Sequence, residues 1–549
     1  MDLPRRINAA RRRGADRHPS ARSIGRAQLL AIAVIALVVP TVLTAWSLSA
    51  PLGSSPDDAY HLPSIWCAAG DVPGRCGISP DRTEAAVPAL VLAGSDCYRL
   101  APATSAGCQG SIGDGLRPTD AWNGRNQLYP PLFYRTMNLL VVDNPKTSVL
   151  LMRGFNALLA VVLLLGVLLV APRSIRQAVF VSSAAASVPL GLFLIASNNP
   201  SAWTVMGVGT FWAFLVAALE TASNRHAAIA YALAGLSAAL AIGSRADGAV
   251  YIAISAIAVI PLTAHRGQPL GRWLWRRRLL PLAIVGALGI LAFTRSAQSG
   301  VAAGGFLDNA PIAQVGLRGY ADRVVALLGS IDSDRLFTYA GFVPGLIAGA
   351  FGGWGLGWLD VPMPAIVVAV SFSTAFTLVV MGLRSMDRGK GVAVCIMLIA
   401  VIAIPTWVAV TGRHDPGTYV QPRYVYPLAF ALIGMALAAV PRTGRLRLAR
   451  SQWLSLAIAL SLAQAFALHA TIRRFATGVE ITAFDLDLAV EWWRAGAPSP
   501  MVVWAVGSVA YAALTIVAFR LFAGGEERLP TDGPDVVHVT VDRDARPSE

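Results

Sequence analysis

The stretch MRGFNALLAVVLLLGVLLVAPRSIR, residues 152–176, decides the fold. From Gly154 to Pro172 it carries no charge, and its apolar residues cover every face of a helix instead of one stripe. A segment of that length and composition is solvated by lipid, and the arginines that close it, Arg173 and Arg176, mark a cytosolic end by the positive-inside rule. Blocks of the same kind recur along the 549 residues, which are 55% hydrophobic and 14% charged. The chain therefore reads as an all-α integral membrane protein, with twelve spans near 27–49, 148–170, 178–197, 202–221, 226–243, 248–264, 279–295, 364–382, 390–411, 422–440, 452–470 and 500–522.

Loop charge supports that count. Arg173 and Arg176, Arg225, HRGQPLGRWLWRRR (265–278), RSMDRGK (384–390) and PRTGRLRLAR (441–450) all fall on one side when the spans alternate. The formal net charge of +14 is thus spent between hydrophobic blocks, where it orients helices toward an anionic leaflet and excludes a nucleic-acid partner. The expected arrangement is a plasma-membrane, multi-pass chain with both termini cytosolic. Residues 1–26 form a basic cytosolic tail, 27–523 the transmembrane domain and 524–549 a disordered cytosolic tail. The apolar run from Ala27 to Leu48 is too long for the core of a signal peptide, and Pro51 follows its only cleavage-like tripeptide, so it reads as a retained anchor.

Four of the five cysteines, Cys67, Cys76, Cys97 and Cys108, lie in the single long loop after the first span, residues 51–147. An even set confined to one loop predicts an extracytoplasmic, oxidising side and two disulfides. Neighbour pairing, Cys67 with Cys76 and Cys97 with Cys108, is the expected one of three connectivities. A zinc site is the alternative, but no C-x-x-C spacing is present. In the same loop YPPLFYRTMNLLVV, residues 129–142, opens on proline and carries an apolar face, as an interfacial helix does. Residues 336–357, rich in glycine and broken by Pro344, read as a re-entrant or interfacial segment.

Two clusters could carry chemistry. SSPDDAYHLPSIWC, residues 54–67, sets Asp57 and Asp58 just beyond the first span, where paired carboxylates suit a general base or a ligand set for a divalent cation such as Mg or Mn. The competing reading is that they cap a short helix. RHDPGTYVQPRYVYP, residues 413–427, sets Arg423 at headgroup level beside Tyr424 and Tyr426. Its planar fork suits a phosphate, and an interfacial Arg/Tyr anchor is the competing reading. Arg153 inside the second span, Arg245 with Asp247, and Asn198 with Asn199 are intramembrane or span-edge polar groups, expected to support a site. His61 and His414 lie on the same side as the acids. No phosphate-binding glycine loop, nucleophile elbow or zinc-protease motif occurs, so nucleotide hydrolysis within the chain is not expected.

Taken in order, SSPDDAYH, NQLYPPLFY, MRGFNALL, GGWGLGWLDVPMP and QPRYVYP resemble an uncharacterised bacterial membrane-protein family, a domain of unknown function found often in actinobacteria and related to the GT-C glycosyltransferases. The resemblance spans most of residues 27–440. It implies a GT-C-like bundle of about twelve helices that transfers a sugar from a polyprenyl-phosphate donor to a cell-envelope glycan or lipid acceptor. Asp57 and Asp58 would then bind metal or activate the acceptor hydroxyl. Arg423, with Gln421 and Tyr424, would hold the donor phosphate, and His61, Arg153, Arg245 and His414 would stand behind them. Pro422 takes the place of a glycine in the family motif, and a large C-terminal extracytoplasmic domain is missing from the pattern. A transporter or lipid flippase is the competing class, and a scaffold for envelope assembly a third.

Overall fold

The computed structural model describes residues 26–221, 223–263, 286–287, 289–291, 293–296, 299, 312–329, 333–412, 420–438 and 447–523. Both tails, the basic segment 265–278, most of the span expected at 279–295, most of 441–450, and His414 lie outside the described residues.

The helices are α1 (Arg26–Ser49), α2 (Asp58–Trp66), α3 (Pro131–Asn138), α4 (Pro145–Val170), α5 (Arg173–Ala186), α6 (Leu190–Ile195), α7 (Ser201–Glu220), α8 (Asn224–Ser244), α9 (Asp247–Thr263), α10 (Ile312–Gly329), α11 (Ser333–Gly353), α12 (Ala365–Leu383), α13 (Arg388–Gly412), α14 (Pro422–Leu437), α15 (Arg450–Ala476) and α16 (Pro500–Ala518). Nine of them among the described residues, α1, α4, α7, α8, α11, α12, α13, α15 and α16, are long and apolar enough to cross a membrane. The chain is a multi-pass membrane protein.

Three differences separate this from the twelve expected spans. The block at 178–197 is two helices, α5 and α6, separated at Ser187–Pro189, where a proline removes a backbone donor. Helix α14, and α9 over its described residues, are apolar but shorter than a full crossing. The segment expected to re-enter or lie at the interface instead belongs to α11, which runs through Pro344 and stops where Gly352 turns to φ +100°.

Helix α7 is the hub of the bundle and is buried on nearly every face. Its small residues explain the close approach to α8: a Cβ at Gly207 would lie 2.4 Å from the Ser237 carbonyl oxygen. Hydroxyl pairs tie the two helices, Thr210 to Ser237 at 2.9 Å and Thr204 to Ser244 at 3.1 Å.

The first loop carries a three-stranded antiparallel sheet, β1 (Gly77–Ile78), β2 (Ala85–Pro88) and β3 (Leu116–Thr119). Its cysteines pair as expected, Cys67 with Cys76 and Cys97 with Cys108. The expected interfacial helix is α3, which buries Phe133, Tyr134 and Met137 and exposes Leu132. The loop is latched to the bundle by a buried pair, Arg474 at the end of α15 and Asp360 before α12, 2.7 Å apart. Arg474 also donates to the carbonyls of Tyr98 and Thr104, while Leu100 N–H donates to Asp360. The end of α1, the starts of α4, α7, α9 and α14, and the end of α8 all meet this loop at one end of the bundle.

Candidate functional site

Residues 47–58 are held by an unusual density of polar contacts from below. Arg153, fully buried on α4, donates to the carbonyls of Ser47 (2.8 Å), Ala50 (2.6 Å) and Pro51 (2.9 Å), to Asn198 Oδ1 (3.0 Å) and to Ser54 Oγ (3.5 Å). A guanidinium so engaged satisfies the carbonyls that the end of α1 leaves open, and it neither snorkels nor reaches a ligand. Asn199 donates to the Pro56 carbonyl at 2.8 Å, and Asn156 and Trp203 brace the turn that carries Asn198 and Asn199.

On that platform the two aspartates diverge. Asp57 adopts φ 61°, a left-handed conformation that Asp tolerates better than most residues, and its carbonyl accepts from Tyr60 and His61 N–H to start α2. Its side chain caps nothing; it reaches across the mouth of the bundle to Arg423, Oδ2 to Nη2 at 2.5 Å. Asp58 turns inward and is 1% exposed. Its Oδ2 accepts from Ser55 N–H at 3.1 Å, upstream of α2, so neither aspartate side chain caps the helix, and Oδ1 is buried without a partner. Burial pushes the Asp58 carboxyl up to about 7, with the charge of Arg153 opposing the rise.

Arg423 stands in the first turn of α14, behind Pro422 at the favoured first position and Gln421 at the N-cap, whose side chain makes no capping bond. Its Nη2 donates to Asp57 and to Tyr424 Oη (3.0 Å), and its guanidinium lies 4.9 Å from the Tyr424 ring centre. Nε and Nη1 are buried without partners. A cation at a helix N-terminus adds to the positive end of the dipole, and the two together favour an anion there.

Arg245 engages differently. It forks onto Asp247, Nε to Oδ1 at 2.9 Å and Nη2 to Oδ2 at 2.6 Å, and it faces the rings of Tyr424 (4.7 Å) and Tyr129 (5.7 Å). Tyr251 donates to the Tyr424 carbonyl at 2.8 Å. Arg245, Asp247, Tyr129, Tyr251 and Tyr424 form the polar wall of a cavity of about 500 Å³ that is otherwise apolar, continuing past Pro405, Val408 and Leu428. His61 is buried against Tyr134, Nδ1 to Oη at 2.9 Å, and burial pushes it down to about 3, so it stands neutral.

The structure therefore brings Asp57, Arg423 and Tyr424 to one mouth, with Asp58 turned inward beside them, Arg245 behind Tyr424 and Arg153 beneath the aspartates. Among the described residues no group of three or more His, Cys, Asp or Glu side chains comes together, so a divalent cation here needs oxygens from its substrate to complete its shell. The Asp360–Arg474 latch went unread in the sequence. Its one signal was an arginine pair, Arg473–Arg474, on the side that the positive-inside rule leaves poor in arginine.

A family described as predicted membrane protein (DUF2142) matches residues 41–433. No curated protein and no solved structure matches the chain significantly.

Proposed function

The chain belongs to the DUF2142 family of predicted membrane proteins, and from that premise we propose that it is a glycosyltransferase of the GT-C kind, moving a sugar from a polyprenyl-phosphate donor to a cell-envelope glycan or lipid on the extracytoplasmic side. One observation carries the reading: a buried arginine with two unpartnered nitrogens lies at a helix N-terminus, and its neighbour Tyr424 walls an otherwise apolar cavity. A phosphate on Arg423 and a prenyl chain in that cavity use both features.

The step follows from the side chains. Asp58, with a free oxygen and a carboxyl that titrates near neutrality, takes the proton of the acceptor hydroxyl. The acceptor oxygen bonds to the anomeric carbon as the bond from that carbon to the phosphate oxygen breaks. The electron pair leaves on the lipid phosphate, whose charge Arg423 meets in place, without solvent reorganisation. The N-terminus is cytosolic in this reading, because the loop with its two disulfides, one span away, is outside.

The test is reconstitution of the chain with a polyprenyl-phosphate sugar and envelope acceptors, reading release of free polyprenyl phosphate. Release that requires the chain and Asp58 supports the reading. Tight donor binding without release would assign the same site to a lipid carrier or flippase.

A further inference from the structure

The two arginine–aspartate pairs of the mouth are built differently. Arg245 meets Asp247 through a closed fork, whereas Arg423 meets Asp57 through a single nitrogen and keeps Nε and Nη1 buried and unpartnered. Arg153 shows the closed alternative, a buried guanidinium engaged through Nε, Nη1 and Nη2, whereas Arg473, which also keeps Nε and Nη1 buried without partners, donates through Nη2 to backbone carbonyls rather than to a carboxylate. Unmade hydrogen bonds on a buried cation are expensive, so the half-engaged pair marks a place where a better acceptor belongs. Exposure divides the pair in the same way: the Asp57 side chain is 41% exposed and that of Arg423 is 4%.

We propose that Asp57 is a displaceable stand-in for the ligand anion: its carboxylate occupies one corner of the Arg423 site in the empty protein and turns out to solvent when a singly charged phosphodiester lipid binds. This rests on the phosphate-site reading of Arg423 and gives Asp57 a role apart from base or metal ligand. The backbone is arranged for such a movement. Asn199 fixes Pro56, and the Asp57 carbonyl is held by Tyr60 and His61 N–H, so the side chain can rotate while α2 stays in place. The exchange trades one negative charge for one. A diphosphate brings further charge beside Asp247, whose arginine is already engaged, and beside the partnerless oxygen of Asp58. The site thus selects a phosphodiester over a diphosphate of the same chain.

The experiment measures binding of methyl farnesyl phosphate and farnesyl diphosphate to the full chain in detergent. Asp57→Asn keeps the left-handed backbone accessible and leaves the shape nearly unchanged. It is expected to bind methyl farnesyl phosphate about tenfold more tightly than the wild type, because the competitor is gone. Arg423→Met is expected to lose binding, and the wild type to prefer the phosphodiester. Equal or weaker binding by Asp57→Asn, with binding still lost in Arg423→Met, overturns the stand-in and leaves the phosphate site standing. Unchanged binding in Arg423→Met overturns both.

Discussion

Asp57 Oδ2 and Arg423 Nη2 lie 2.5 Å apart although 366 residues separate them in the chain. The contact joins the loop after α1 to the first turn of α14, beside Tyr424, which lines the largely apolar cavity. Each residue has a structural reading of its own, a helix start for Asp57 and an interfacial anchor for Arg423. Neither explains why the guanidinium is left with two buried, unpartnered nitrogens.

Asp58 predicts a pH dependence. Its folded-state pKa, about 7, stands above the unfolded value of 3.8, so its contribution to stability is fully present below about 4 and is lost as pH rises through 7. Wild-type thermal stability should fall over that window relative to Asp58→Asn, whose profile should be flatter. Turnover should rise over the same window, since the base must be deprotonated. Parallel stability profiles for the two proteins would contradict the buried, raised carboxyl.

The latch predicts an asymmetric double-mutant cycle. Arg474→Met leaves Asp360 buried without its cation and should destabilise by about 3–5 kcal/mol, and Asp360→Asn should act in the same direction. The double variant should lose less than the sum of the two. Additive losses in thermal unfolding would show that the two residues act separately.

Topology is tested by an impermeant thiol reagent on intact cells. A cysteine placed at Ser111, exposed in the first loop, should be labelled, and one placed at Gln268 should be spared. Mapping of non-reduced peptides should recover Cys67 with Cys76 and Cys97 with Cys108. The reverse labelling would move the site to the cytosolic face.

Membrane class, the disulfide pairs and an amphipathic α3 were legible in the sequence, because each is local: an uncharged apolar block, an even cysteine set in one loop, a proline-led apolar face. The different fates of Asp57 and Asp58 were not. Adjacent residues share composition and spacing, and only the left-handed turn at Asp57 sends one outward and one inward. Asp360 and Arg474 left no spacing to read, since their partnership spans 114 residues. The break between α5 and α6 and the continuation of α11 through Pro344 went the opposite way from each other, although a proline marks both. Proline removes a donor in both, yet only one helix breaks, so residue type alone does not say which.

The central claim is that Arg423 holds a departing lipid phosphate, and its most direct measurement is the rate of sugar transfer from a polyprenyl-phosphate donor in membranes carrying wild type, Arg423→Lys or Arg423→Met. Loss of one such group should lower turnover about 10²–10³-fold, as loss of an oxyanion donor does, with folding retained. Arg423→Lys should recover little, because an ammonium cannot reproduce the planar fork. Transfer by Arg423→Met at the wild-type rate would contradict the account.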